Sequence, residues 1–546
     1  MQDLRLAFRT LLRRPSFSVI AILTLALGIG ANAAVFTVSK AVLLAPLPYD
    51  NPDDVVVLNE TTPQFPSVSV TRYNYEDWRD RAMSFSAMAA FRPTNLTLTG
   101  LGDPERVPAK MITATLLPLL GVAIEHGRNF VARDDRPGAE DVAILSAGFA
   151  QRRFPGEEPA GRTLQLDHRP YTVVGVLPAG FELFQPADVY VPFGPWAATL
   201  PEDRGWHPGI FPIARLKEGV TLEQARSDME TISQQLEAQY PDSNKNVRTL
   251  VTRAQDQLVQ NVRPALLLLT GAVALVLLIA CANVANLLLA RAVDRQKEIA
   301  VRLALGASRL RIVRQLIVES LVLACMGAAA GLLVTSWAVS YLTSTAVAAL
   351  PRAQNVAIDW PVVCFALALA AVTGLVFGLV PAVHATQVPI RASLNEESRG
   401  DSGSTRQRKI RSALVVAEIG LALVLLVGAG LLLRSFSALT RVPPGFNTAN
   451  LLVVNLPLSS PKYEDTVVRT SVIEQIVERV RALPGVSGAA MTTTLPMAGA
   501  GMTIHFNRAA HPPKGPDDYV MAGASPWGRR RTRSSRWWCG RARNSR

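Results

Sequence analysis

Five long apolar runs lie along this chain between mixed polar segments. Pro15–Ser39, Pro264–Ala290, Ser320–Pro351 and Trp360–Pro389 contain no Lys, Arg, Asp or Glu, and Ser412–Leu433 contains only Glu418. Each reaches the roughly 20 residues that a helix needs to cross the hydrocarbon core of a bilayer, so five spans are predicted. Their flanks orient them, because short basic segments stay in the cytoplasm. Four Arg against Asp3 precede the first run, seven Lys or Arg against Asp294 and Glu298 occupy Arg291–Gln315 between the second and third, and six against three acids fill 391–411 before the fifth. The link between the third and fourth runs holds only Arg352 and Asp359. One topology satisfies every flank: the N-terminus, 291–314 and 391–411 inside, and 45–262 outside.

Between the first two runs the pattern changes to that of a folded α+β domain. DVVVLNE, NLTLTG, DVAILS and YTVVGVLP read as strands between Gly and Pro turns. Arg72–Phe91 and Thr221–Tyr240 read as helices, the second with Leu222, Ala225, Met229, Ile232 and Leu236 at helical spacing. In the basic turn, Glu298 and Arg302 lie one helical turn apart, as do Ile299 and Leu303, which predicts a short amphipathic helix stopped at Gly306 and restarted at Ser308. The fifth run reprises the first, being preceded by basic residues and followed by a strand-rich segment with NLLVVNLPL as a strand and Val467–Leu483 as a helix. A second copy of the span-plus-domain unit begins there.

Composition agrees with a protein partly in membrane: 546 residues, 49% of them hydrophobic and a mean hydropathy of +0.21. The net charge of +13 raises nucleic-acid binding. Its distribution argues against it, since 45–262 holds 28 acidic against 20 basic side chains and the excess of cations sits beside spans and in the last 20 residues. Cys281, Cys325 and Cys364 fall in apolar runs and Cys539 in the tail, so neither a disulfide nor a zinc framework follows.

Candidate chemistry is sparse. The sequence holds no GxxxxGK[ST], HExxH, GxSxG or CxxC, which leaves no visible nucleotide, metal or nucleophile site and no cofactor. His126, His168 and His207 in the outer domain read as surface or core residues rather than ligands. Gly28 and Gly30 with Ala33 mimic a dinucleotide-binding GxGxxA, but no strand precedes them and close helix packing is the better reading. Gly327 with Gly331, and Gly374 with Gly378, form two GxxxG pairs of the kind that let helices approach in lipid. Glu319 and Glu418 are carboxylates within or beside spans, functional candidates by position. Both lie near cytoplasmic ends, where interfacial water or Arg also accounts for them.

RQKEIAVRLALGASRLRIVRQLIVES resembles the permease signature of the family that contains the MacB macrolide exporter, the lipoprotein-release permeases and FtsX. RLAFRTLLRRPSFSVIAILTLALGIGANAAVF, LGVAIEHGRNF, AILSAGFAQRRF and YTVVGVLPAGF extend the resemblance through a MacB-like periplasmic core, and GFNTANLL with LPGV extends it into the second copy. The order of segments looks most like duplicated permeases. On that pattern 1–44 is the cytoplasmic start and first span, 45–262 the outer core domain, and 263–390 the permease domain with three spans. Residues 391–411 would be a cytoplasmic linker, 412–439 the fifth span, 440–525 part of a second outer domain and 526–546 a basic tail. With eight Arg, three Trp and no acid, the tail reads as a truncation scar or out-of-frame translation.

The resemblance implies a membrane helical bundle with an inserted extracytoplasmic α+β domain, placed in the bacterial inner membrane. It implies no enzyme activity of its own and no cofactor, but work done by a cytoplasmic ATP-binding-cassette ATPase in trans. Gln296, Lys297, Glu298, Ile299, Arg302, Leu303 and Gly306 would dock that subunit. Membrane lipid, a periplasmic adaptor and a second permease are the other partners it brings. Two functions follow: mechanotransmission or efflux, or an FtsX-like scaffold that switches a cell-wall hydrolase outside.

Overall fold

A computed structural model of the chain describes Arg9, Leu11, Leu12, residues 15–294 apart from 64, 101 and 102, residues 308–345, 356–386 and 404–442, most of 450–491, and the pairs of strand residues 503–506 and 520–523. It falls into two compact units, one of Met1–Pro93, Lys110–Ala160 and Val174–Leu432, the other of Thr94–Ala109, Gly161–Val173 and Leu433–Arg546.

The outer domain is built on ten strands: β1 (Val55–Thr61), β2 (Phe85–Thr99), β3 (Glu105–Ile112), β4 (His126–Gly127), β5 (Val142–Leu145), β6 (Thr163–Leu166), β7 (Arg169–Val176), β8 (Val189–Pro192), β9 (Phe211–Leu216) and β10 (Arg248–Arg253). The order along the sheet is β10-β1-β9-β2-β3-β8-β5-β7-β4, with β6 off this path. β1 lies antiparallel to both β10 and β9. Its VVVL run is apolar throughout because both faces are covered. Val55 and Val57 enter one core with Leu47, Tyr49, Ile144 and Tyr190, while Val56 and Leu58 enter the other with Trp78, Met229 and Leu236.

Two helices cover that second face. α2 (Arg72–Arg81) starts where the Thr71 hydroxyl accepts the Asn74 N–H. For α3 (Leu222–Gln239), Thr221 and Gln224 cap each other reciprocally. The periodic positions of α3 behave as predicted, with Ala225, Met229, Ile232 and Leu236 buried. The other helix is shorter than the sequence predicts. It stops at Arg81, the Met83 and Ser84 N–H groups are taken by the Asp228 carboxylate, and Phe85–Phe91 pairs with β9 as strand. Pairing with β9 overrides helical propensity there.

The membrane part of the first unit contains α1 (Pro15–Ser39), α4 (Arg263–Asp294), α5 (Arg309–Thr345) and α6 (Trp360–Thr386), followed by α7 (Ser404–Thr440). Among the described residues, four stretches are long and apolar enough to cross a bilayer: Pro15–Leu44, Arg263–Ala290, Leu310–Thr343 and Ser412–Thr440. The expectation of five spans is therefore met by four. On α6 the apolar segment Trp360–Val376 is a shorter one, about 25 Å at 1.5 Å per residue against a core of about 30 Å. The protein is a multi-pass membrane protein with a large extracytoplasmic α+β domain.

In the second unit, β6 pairs with β7 around a two-residue turn. Asp167 and His168 both have positive φ, 49° and 62°, the conformation a type I′ hairpin turn demands. The Asp167 carboxylate accepts the Thr97 N–H at 2.9 Å. Farther along, α8 (Thr466–Arg481) matches the predicted helix, its first turn capped by Asp465. Leu451–Val454 was predicted as strand and carries no strand assignment. All four residues are exposed, so an apolar run alone, without a covering layer, does not make a strand here. Residues 526–546 lie outside the described residues.

Candidate functional site: a glycine-packed bundle clasped to the outer domain

The bundle is closed by contacts that admit no side chain. A Cβ placed on Gly30 of α1 would lie 2.9 Å from the carbonyl oxygen of Gly331 on α5, and one on Gly331 would lie 2.9 Å from the Ala26 oxygen and 3.0 Å from the Gly30 nitrogen. At Gly327 it would meet Leu25 Cβ at 2.6 Å. Both residues of that GxxxG pair thus seat α5 on α1. Gly378 does the same on α6, where a Cβ would reach Ser320 Cβ at 2.7 Å, and Gly374 lies against Leu321 and Ala324. Gly28 faces Leu277 and Ala280 of α4, so the GxGxxA mimic is helix packing.

Close backbone approach lets polar side chains bridge helices. Thr335, fully buried, donates to the Gly30 oxygen at 3.0 Å and to Gly331 at 2.9 Å. Asn32 donates to Gly28 on its own helix and to Val273 on α4, each at 2.8 Å. Phe36 stacks on Phe365 at 4.1 Å. Among Leu25, Cys281, Leu288, Ser320, Leu323 and Thr373 a cavity of about 10 Å³ remains, space for roughly one water.

The extracytoplasmic ends are tied to the outer domain. After Ser39, α1 widens into a π-turn, Lys40–Leu44, whose Lys40 ammonium pairs with Asp359 at the start of α6. The chain then enters the domain core at Leu47 and Tyr49. It returns through β10 and the short helix Ala254–Val259 into α4. Gln255 on that return donates to the carbonyls of Leu43 and Ala45, at 3.2 and 3.4 Å. Around this clasp pack Val38, Ala41, Val42, Val259, Leu266, Val339 and Val356. Two backbone passages, from α1 and from α4, are held here as one neck.

Gln296, Lys297, Glu298, Ile299, Arg302, Leu303 and Gly306 lie outside the described residues. The helix that follows does restart at Ser308, which accepts the Arg311 N–H through its carbonyl at 3.1 Å. Glu319 is buried, 4% exposed, with the Gln315 amide 3.4 Å from one carboxylate oxygen. Glu418 is partly exposed on α7. The two acids are not brought together in any described contact. Sequence reasoning singled out the glycine pairs but missed Asn32, Thr335 and Gln255. Thr335 had a signal, one turn beyond Gly331 on the same face; Gln255 had none.

Residues 18–232 match the family of MacB-like periplasmic core domains, and 270–390 the FtsX-like permease C-terminal family. Among curated relatives, the macrolide export ATP-binding/permease protein MacB of Neisseria meningitidis serogroup A / serotype 4A is 25% identical over 307 residues, 55% of this chain and 44% of that protein. The uncharacterized ABC transporter permease YknZ of Bacillus subtilis (strain 168) is 25% identical over 276 residues, 49% and 65% of the two. For the pyoverdine export ATP-binding/permease protein PvdT of Pseudomonas putida the figures are 26% over 356 residues, 57% and 52%. The crystallised periplasmic region of MacB from Actinobacillus actinomycetemcomitans aligns with a TM-score of 0.30 and 13% identity, over 38% of this chain and 92% of that one. The chain spans about half the length of the curated relatives it matches. At family level the match is to ABC permeases of the MacB/FtsX type, through two separate stretches of the chain.

Proposed function

We propose that the chain is the permease subunit of an export or mechanotransmission system, driven by a separate ATP-binding-cassette ATPase in the cytoplasm. The sequence holds no phosphate loop, and in this reading hydrolysis is supplied by the separate ATPase. The observation that carries the reading is the clasped neck beside a close-packed bundle, with a cavity of about 10 Å³ among Leu25, Cys281, Ser320 and Thr373. A bundle this full favours moving the outer domain over passing a solute between helices. Work enters through Gln296, Lys297, Glu298, Ile299, Arg302, Leu303 and Gly306, crosses on α1, α4 and α5, and leaves through the neck. In this reading α6 is the fourth of five spans, its helix continuing to Thr386 beyond the short apolar segment. A second permease and a periplasmic adaptor are the further partners of this reading.

Glu298→Lys tests the coupling. The substitution removes a pair with Arg302 worth only about 0.2–0.5 kcal/mol in an isolated helix, so folding is preserved and the ATPase should no longer co-purify. Undiminished co-purification would refute the docking role. The orientation, with the N-terminus inside, has its own check. Glu140→Cys, exposed on the outer domain, should react with an impermeant thiol reagent in spheroplasts; reaction only after lysis would invert the topology.

A further inference from the structure

In the outer domain, the loop 201–209 is fastened by a buried polar network that requires a charged histidine. Glu60 on β1 is 0% exposed. Its Oε1 accepts the Asn74 amide at 2.9 Å and the Thr71 N–H at 3.3 Å. Its Oε2 faces His207 Nε2 at 2.7 Å, while His207 Nδ1 faces the Gly205 carbonyl at 3.1 Å. A carbonyl only accepts, as does an ionised carboxylate, and a neutral imidazole has one N–H to give. In either neutral tautomer one ring nitrogen is set lone pair to lone pair against an oxygen. Against an ionised Glu60, the imidazolium alone satisfies both.

The surroundings hold further charges. From the same loop, Arg204 donates to Asn74 Oδ1 at 3.0 Å and to Asp77 Oδ2 on α2 at 2.7 Å, and its guanidinium lies 3.8 Å from the Tyr240 ring centroid at the end of α3. Arg81 bonds the other Asp77 oxygen at 2.7 Å, and Asp203 adds negative charge near the ring. Burial opposes the charge on His207, but the hydrogen bond and charge of Glu60, with the Gly205 carbonyl and Asp203, outweigh it and raise the pKa above 6.5. Beyond Pro208 the chain is fixed independently, by Gly209 N–H to Ser69 Oγ at 3.2 Å and by Val70 N–H to the Ile210 carbonyl at 2.8 Å.

We infer that His207 is a proton-operated catch: between the anchors at Arg204 and at the Pro208 carbonyl, which accepts from Arg92 Nε at 3.0 Å, the doubly protonated ring holds the 205–207 turn with the partly exposed Trp206 against Glu60 of β1, and on losing a proton it lets that turn go. The catch sits on the extracytoplasmic face and therefore meets external pH. Its sign follows from the raised pKa. The contribution is complete below the ordinary histidine value and is lost as pH rises through the raised one. Lys110, buried on β3 with its ammonium on the Leu183 and Gln185 carbonyls, runs the other way: burial brings its pKa down to about 7, so its cost to folding is relieved as pH rises. Whole-chain stability mixes the two, and a local probe separates them.

The full chain in lipid nanodiscs, labelled with 5-fluorotryptophan, supplies that probe; Trp206→Phe identifies the resonance. Between about pH 5 and about 9, the Trp206 signal should shift in a single titration with a midpoint above 6.5. Glu60→Gln should bring the midpoint to 6.5 or below, and His207→Gln should abolish the titration while the other tryptophan signals keep their positions. A Trp206 resonance in the unsubstituted chain that does not move across the range would overturn the catch. So would a titration that survives in His207→Gln.

Discussion

Replacing Gly331 by Leu should break the contact between α5 and α1 and destabilise the bundle by roughly 3 kcal/mol, the upper part of the usual cost of overpacking. The figure is high in its range because the obstacle is backbone. An added Cβ sits 2.9 Å from the Ala26 oxygen and 3.2 Å from Gly30 Cα, and neither can swing aside as a side-chain tip would. Separation of the helices would also cost Thr335 its bond to the Gly30 oxygen. Gly428→Leu on α7 is the control, since no described atom lies within 4 Å of a Cβ there. Both substitutions gain the same helix propensity, up to about 1 kcal/mol, so the difference between them isolates packing. Thermal melting of the purified chain in detergent reads it: a lower midpoint for Gly331→Leu and an unchanged or higher one for Gly428→Leu. Equal midpoints would mean that the glycine contact does not hold the bundle.

Gln255→Leu should leave the protein folded and its ATPase bound, yet disconnect the two. The amide makes two hydrogen bonds to backbone carbonyls across the neck, each worth about 0.5–1.5 kcal/mol net, and the apolar cluster around it remains. What is lost is the register between the π-turn after α1 and the return into α4. A π-turn is a wound-in residue that can be passed along or released, and without the clasp motion of α1 is absorbed in Lys40–Leu44 before it reaches Leu47. ATP hydrolysis by the co-purified complex should continue at a similar rate while the displacement of the outer domain falls by half or more. Loss of hydrolysis in step with displacement would make Gln255 part of ATPase activation instead.

The spans and the strand runs of the outer domain were legible because their signals are local. An uncharged run such as Pro264–Ala290 has few other fates, and the VVVL of β1 can be apolar throughout only if both faces are covered. Helical spacing made α3 readable to within one residue at each end. The end of α2 was not, because Phe85 onward becomes strand through β9 and the turn before it is held by an Asp228 far along the chain. Gln255 and His207 were hidden for a related reason. Each is an ordinary polar residue in sequence, and its meaning comes from partners at a separation of 212 residues for Leu43 and 147 for Glu60. The π-turn KAVLL carries no signature at all. By contrast the glycine pairs were visible as motifs, but which helix each would face was set only by the packed bundle.

Spin-label distances across the neck test most directly whether the chain transmits work. Labels at Glu140→Cys on the outer domain and Ser340→Cys near the outer end of α5, both exposed, go into a chain whose four cysteines are replaced by alanine, purified with its ATPase. The expected result is a distance distribution that shifts when ATP is bound and returns after hydrolysis, and that loses most of the shift in Gln255→Leu. A distribution that stays the same while the bound ATPase turns over would contradict transmission through the neck.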